Sequence, residues 1–327
     1  MPHGRRHGLG SFGRLPGRAP ALRGMHIATS LTAVQTVPPP WGAHSLASIS
    51  HHFTVDVEEY FQVAALAPYV SRTDWGTQES RVERSVEHLL DLLDGHGASG
   101  TFFVLGWVAE RHPTLVRLIV ERGFEVASHG WGHRRVTELT RDEFRDSVRR
   151  SKTTLQDLSG GPVLGYRAPN YSIVPGLEWA LEILVEEGYD YDSSLFPVRR
   201  NGYGYPSGER YPHWLTLESG RLYEVPPSTV RWLGVNLPAA GGAYFRLLPY
   251  ALVRSALRNA ERHNEPATFY IHPWEIDAGQ PRMSVPFITR VRHYGGLSRT
   301  LARLERLLSE FRFTSIARSI DAISAHE

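Results

Sequence analysis

From His52 onward, short apolar runs alternate with segments whose apolar residues recur at helical spacing, and few architectures accommodate that order. Phe53 to Val57 reads as a strand. Val82, Val86, Leu89, Leu90 and Leu93 then mark one face of a helix that Gly95 and Gly97 stop. A strand over Thr101 to Leu105, a helix around Leu115 to Val120 and a strand over Phe124 to Ala127 follow. Thr140 and Glu143 form a capping box that opens a helix running toward Leu158. Val163 to Tyr166 predicts another strand, and Pro175 suits the first turn of a helix closing at Gly188. Further strands are predicted near Tyr189 to Tyr191, Leu222 to Val225 and Thr268 to Ile271, with a helix from Tyr250 to about Arg262 before the last. This alternation predicts an α/β fold with a parallel sheet closed by, or covered with, helices.

At 327 residues, one large barrel is as admissible as two ordinary domains. Cysteine is absent, which excludes disulfides, thiolate zinc clusters and a cysteine nucleophile, so a metal would need His, Asp or Glu. Net charge is only +2 and Lys152 is the sole lysine, so no nucleic-acid partner is expected. Residues 1–50 hold no Asp or Glu and are rich in Arg, Pro and Gly. They read as a disordered extension, with Met25 as an alternative start. The segment has neither the apolar core of a secretory signal nor the length of a membrane span, and a cytoplasmic location is the expectation.

Acid and imidazole residues cluster at the carboxyl ends of the predicted strands, where α/β folds place their chemistry. Asp56 and Glu58 close the first strand, His129 the third, Arg167 the fourth, Asp192 the fifth and His272 the last. Residues two apart on a strand point the same way, so Asp56 and Glu58 can share a pocket while Val57 packs behind. His129 and His133, four apart as in a helical turn, can chelate one ion. Each residue alone has an ordinary reading, as a cap, an ion-pair partner or a surface group. His51 and His52 are expected at the surface.

In this order the motifs resemble the NodB-type polysaccharide deacetylases, and most closely the branch associated with exosortase and PEP-CTERM exopolysaccharide loci. The resemblance rests on the motifs around Asp56, Glu58 and Phe61, on Ser128-His129 and His133, on Tyr166-Arg167-Ala168-Pro169, on Tyr191-Asp192 and on His272-Pro273-Trp274-Glu275. It implies a distorted (β/α) barrel over residues 51–279, with a family-specific segment over 280–327 packing on it. Asp56 would be the base, Arg167 its partner, His272 the general acid and Asp192 the partner of His272. Glu58, His129 and His133 would hold a divalent metal, zinc first, with Co²⁺ and Ni²⁺ as alternatives. Val57 stands where the commonest version of the family has its metal-binding aspartate, which is why the third ligand falls to Glu58. Asn170 replaces the usual tyrosine, and its backbone N–H is the expected oxyanion donor.

Tyr60, Trp131, Asn170, Tyr171 and Trp274 are the expected substrate contacts, with Phe61 and Tyr244 also near the motifs. Ser298 reads as the cap of a helix with Leu301, Leu304, Leu307, Leu308 and Phe311 on one face, followed by a strand-like Phe313 to Ile316. The leading functional expectation is removal of N-acetyl groups from an amino-sugar polymer or its lipid-linked precursor. Amide hydrolysis on a small non-sugar molecule and inactive carbohydrate binding are the alternatives.

Overall fold

A computed structural model of the chain describes residues 49–200 and 202–324; nearly all of the Arg/Pro/Gly-rich extension lies outside the described residues. In chain order the elements are β1 (Ser50–Val57), α1 (Val82–Gly95), β2 (Thr101–Val104), α2 (Gly106–Arg111), α3 (Pro113–Glu121), β3 (Glu125–Ser128), α4 (Arg141–Ser159), β4 (Gly165–Tyr166), α5 (Trp179–Glu186) and β5 (Tyr191–Asp192). There follow β6 (His213–Leu217), β7 (Gly220–Glu224), β8 (Thr229–Trp232), β9 (Val235–Pro238), α6 (Gly242–Leu247), α7 (Tyr250–Arg262) and β10 (Thr268–Ile271). The last elements are α8 (Phe287–Tyr294), α9 (Leu297–Glu310), β11 (Arg312–Thr314) and α10 (Ile316–Ser324).

The main sheet runs β10-β1-β2-β3-β4-β5-β7-β6 and curls into a half-barrel. All its neighbours are parallel except the β6–β7 hairpin, and β11 adds to β1 in parallel. The fold class is therefore the helix-covered α/β sheet expected from the alternation, curled as the distorted barrel implied by the resemblance would be.

Strand β1 shows why the sheet has a dry side and a wet side. Phe53, Val55 and Val57 join the main apolar cluster, together with the stripe Val82, Val86, Leu89, Leu90 and Leu93 of α1. Burying each of these side chains contributes about 1.5–3 kcal/mol. The alternate residues Thr54 and Asp56 project to the other face, into the barrel interior. Helix α4 starts as its capping box predicts: Glu143 N donates to Thr140 Oγ1 at 3.2 Å and Thr140 N to Glu143 Oε2 at 2.8 Å.

His51 and His52 are not at the surface. Both are buried: His51 Nδ1 accepts from Ala267 N at 3.0 Å, and His52 Nδ1 lies 3.1 Å from Thr268 Oγ1. Burial pushes the pKa of His52 down to about 3, so this imidazole is neutral. Only Nδ1 of each ring is hydrogen-bonded, to Ala267 and to Thr268 at the start of β10; Nε2 of both is buried without a hydrogen-bond partner.

The residues after Gln280 are woven into the barrel. β11 pairs with the first residues of β1, Ser50 to His52, while Ile316 and Ile323 of α10 pack with Phe103, Ala127, Tyr191 and Tyr223 in the interior. Glu125 ties this end together, accepting from Thr101 Oγ1 (2.6 Å), Tyr191 Oη (2.6 Å) and Ala317 N (2.9 Å). Ser298 is not a cap: α9 begins at Leu297, preceded by Gly296 in the left-handed region at φ 79°.

Gly165 in β4 is pressed against the Tyr191 ring; a Cβ there would stand 1.9 Å from Tyr191 Cζ. Gly165→Ala should cost roughly 2 kcal/mol or more through overpacking, read as a lower urea midpoint with unchanged m-value.

Candidate active site

The strand ends bring the predicted residues to one cavity of about 250 Å³. Asp56, Glu58, His129, His133, Asn170, Tyr171, His272 and Trp274 all line it. Asp56 ends the inward-facing row of β1, and Arg167, just past β4, reaches across to it. The guanidinium is fully buried; Nη1 donates to Asp56 Oδ1 at 2.7 Å and to Thr54 Oγ1 at 2.8 Å, and Nη2 to Ser193 Oγ at 2.8 Å. One carboxylate oxygen of Asp56 is thereby pinned. The other, Oδ2, stands 3.8 Å from His272 Nε2.

Glu58, His129 and His133 form a buried cluster whose ligand atoms lie within 4.8 Å of one another. His129 Nδ1 sits 2.8 Å from the Arg167 carbonyl, which only accepts, so Nδ1 carries the proton and Nε2 presents its lone pair. Trp274 Nε1 donates to Glu58 Oε1 at 3.2 Å. Oε2 of the same carboxylate is buried without a hydrogen-bond donor, although His133 Nε2 approaches to 2.6 Å out of line. An orphaned carboxylate oxygen facing two imidazoles, one fixed in the ligating tautomer, fits a divalent cation of the borderline class.

The histidine pair is not chelating from a helix. After β3 the chain bends through Gly130 (φ 72°) and His133 (φ 51°), and this turn, with no helical hydrogen bonds, aims both rings at Glu58. Asn170 (φ 58°) and Tyr171 (φ 52°) are also left-handed. Three of the five described non-glycine residues with positive φ therefore line this one cavity, a concentration of backbone strain typical of functional sites. Asn170 Nδ2 and Tyr171 Oη are buried and unpartnered there.

Asp192 does not partner His272. It accepts from Ser194 Oγ at 2.6 Å and is coupled instead to Glu224. The partner of His272 is Glu275, whose Oε1 lies 2.7 Å from Nδ1 and also accepts the His272 backbone N–H at 3.1 Å. Glu275 Oε2 is in turn bound by the buried Arg246 through Nε at 2.5 Å. The cue was present in the three-residue spacing after His272, that of a capping box; Arg246, 29 residues earlier, left no local signal. Burial opposes a charge on His272, but the negative Glu58, then Glu275 and Asp56, outweigh it and raise its pKa to about 9.

Two expected sugar contacts lie elsewhere. Tyr60 is buried in a separate apolar cluster with Phe61 and Trp75. Trp131 does not line the cavity; its ring lies beside Gly106, with the Arg150 guanidinium carbon 3.3 Å from the ring centroid. Tyr244 does line it, as do Tyr203, Tyr270 and Arg292, which carried no motif.

Residues 74–185 match the family model for polysaccharide deacetylase, and residues 193–321 match one for a domain of unknown function, DUF3473. Among curated proteins, 95 residues are 32% identical to the peptidoglycan-N-acetylglucosamine deacetylase of Bacillus cereus, covering 29% of this chain and 34% of that protein. A 115-residue stretch is 30% identical to the peptidoglycan deacetylase of Helicobacter pylori, over 35% of this chain and 38% of the relative. The chain thus spans about a third of the length of these relatives, and over that part family model and relatives agree on the polysaccharide deacetylase family. The same fold occurs in a Mycobacterium smegmatis structure assigned provisionally as a polysaccharide deacetylase (TM-score 0.61, 19% identity, 90% of this chain and 96% of that one). It also occurs in the PuuE allantoinase (TM-score 0.54, 17% identity, 84% and 88%). Asp56 and Glu58 precede both family matches, while His272, Trp274 and Glu275 fall in the second, so the cavity is assembled from beyond either one.

The Asp192–Glu224 pair gives a test that does not involve turnover. Burial, then the neighbouring Asp192 charge, holds the Glu224 pKa well above its usual value, and burial pushes Asp192 up to about 6. Raised carboxyl pKa values mean the folded state keeps protons that the unfolded chain releases, so this stabilisation is complete in acid and is lost as pH rises through about 6 and beyond. Glu224→Gln should therefore gain stability relative to the parent as pH rises through about 6 and above, measured as a widening difference in unfolding midpoint.

Proposed function

We propose that this chain is a metal-dependent N-deacetylase acting on the amino sugars of a polysaccharide, or of its lipid-linked precursor, in exopolysaccharide assembly of the exosortase/PEP-CTERM type. The observation that carries the reading is the convergence of an Arg-paired Asp56, a buried Glu58–His129–His133 cluster and His272 on one cavity. The family match over residues 74–185 and the curated deacetylase relatives support the reaction class, and the motif resemblance supports the pathway.

Glu58 through Oε2, His129 through Nε2 and His133 would hold the ion, zinc by preference. A divalent cation bound there supplies Lewis acidity, polarising the acetamide carbonyl and acidifying water. Asp56, with Oδ1 immobilised by Arg167, accepts the proton of the attacking water at Oδ2. The Asn170 backbone N–H is the oxyanion donor in this reading, with Asn170 Nδ2 and Tyr171 Oη available in the same turn; one such donor is typically worth about 3 kcal/mol. His272, held as a cation and oriented by Glu275, donates its Nε2 proton to the departing sugar amine. Acetate and a free amino sugar are the products. Tyr244 at the cavity wall offers a flat face to the pyranose rings, whereas Trp274, stacked on by His272 and His293, is committed to the wall itself.

Acetate release from N-acetylated chitooligosaccharides by the metal-loaded protein is the direct test. Asp56→Asn and His272→Ala should each lower kcat by about 10²–10⁴-fold with circular dichroism unchanged; near-normal release by either variant would falsify its assigned role. Chelation should abolish release and added Zn²⁺ restore it. Trp274→Phe deletes the donor to Glu58 Oε1 and should weaken metal affinity roughly 10–100-fold, measured by competition with a chromogenic chelator.

A further inference from the structure

We propose that α8 is a docking surface for an anionic lipid bilayer, which would place the cavity against a membrane-borne substrate; the inference rests on the deacetylase reading for its purpose but not for its test. The outward face of α8 is apolar. Phe287 is 67% exposed, Ile288 80% and Val291 41%, and Leu247 at the end of α6 is 41% exposed. Positions 287, 288 and 291 lie on one side of the helix. Exposed side chains of this size, grouped on a well-formed helix, mark an interaction surface.

Charge selects the partner. The 27 residues from Ala278 to Leu304 contain five arginines and no Asp or Glu. Arg303 is committed inward, donating to the carbonyls of Arg246 and Leu248, but Arg290 and Arg292 on α8 and Arg299 in the first turn of α9 are exposed. Apolar side chains interleaved with arginine suit the boundary between anionic headgroups and acyl chains. A second copy of this chain would bring the same acid-free surface against itself, which like charges oppose. Among the described residues no helix is long and apolar enough to cross a membrane, so the attachment would be peripheral.

The helix is also coupled to the site. Its inner residue His293 stacks on Trp274 at 4.4 Å, and Trp274 is the donor that holds Glu58. Arg292 and His293 line the cavity itself. The helix offered to lipid thus also contributes to the cavity wall, which suits a lipid-linked saccharide that reaches the site without leaving the membrane.

The test is sedimentation of the full chain with phosphatidylcholine vesicles, with and without phosphatidylglycerol. Binding should require phosphatidylglycerol. A Phe287→Ser/Ile288→Ser variant should bind at least about tenfold more weakly, and Arg290→Gln/Arg299→Gln roughly thirtyfold more weakly. Acetate release from soluble oligosaccharides should be unchanged in Phe287→Ser/Ile288→Ser. Failure to sediment with either vesicle, or binding indifferent to both variants, overturns the inference. So does self-association that Phe287→Ser/Ile288→Ser abolishes, since the face then belongs to a second copy. Inactivity of the parent protein on every acetylated saccharide would sink the deacetylase reading instead, leaving the vesicle result to stand alone.

Discussion

The buried ion pair between Arg167 and Asp56 is the constraint on which the rest of the site depends. A guanidinium without solvent exposure is costly unless its donors are occupied, and here they are spent on Asp56, Thr54 and Ser193, with the plane resting 4.1 Å from the Phe103 ring centroid. These partners sit on β1 and β2 and just beyond β5, so one side chain anchored after β4 spans the barrel interior. The carbonyl of the same residue receives His129 Nδ1. Arg167 thereby fixes both the carboxylate assigned as base and the tautomer of a ligand. Removing one partner of such a pair strands a buried charge, at a cost of about 3–5 kcal/mol, which explains why the arrangement is tied in on every side.

A second layer repeats this logic on the opposite wall. Arg246 is buried, binds Glu275, and donates to the backbone carbonyls of Arg292 and Gly295 at the end of α8. Glu275 orients His272, and the neighbouring Trp274 reaches Glu58. The region matching a domain of unknown function therefore supplies the imidazole assigned as acid, its partner and the clamp on a ligand. With β11 paired to β1 and α10 packed among interior aromatics, this region and the deacetylase-matching one share a single sheet and a single cavity.

What was legible in the sequence follows from how local each signal is. Strands with two-residue alternation and helices with a clear apolar stripe, such as β1 and α1, declare themselves within a dozen residues. The site residues declared themselves because parallel strands deliver their carboxyl ends to one rim. Elements with mixed or exposed faces did not: the β8–β9 hairpin carries Trp232, Leu233 and Val235 outside, and α8 carries Phe287 and Ile288, so neither shows a buried periodicity. Side-chain destinations across long separations were equally hidden. Trp131 follows a ligand in sequence, yet its ring lies beside Gly106 near Arg150 rather than in the cavity, because the left-handed turn that aims His133 inward separates neighbours along the chain. His51 and His52 look polar in isolation, but pairing of β1 with β10 and β11 buries them.

Asp192 shows why proximity in a motif is weaker evidence than electrostatic environment. Asp56 and Asp192 both sit at strand ends in the same barrel, and both are buried. Arg167 gives its charge to the first, whereas the second faces Glu224 with its remaining hydrogen bonds coming from Ser194 Oγ and backbone N–H groups. Two carboxyls side by side in a dry interior cannot both ionise, so the pair retains a proton and spends it internally. Such a pair has no net demand for His272, which lies instead among Glu58, Asp56 and Glu275. The interior thus sorts its acids: Glu58 and Glu275, beside imidazole and arginine, are held below the usual carboxylate range, while Asp192 and Glu224, left to each other, are raised and become part of the frame.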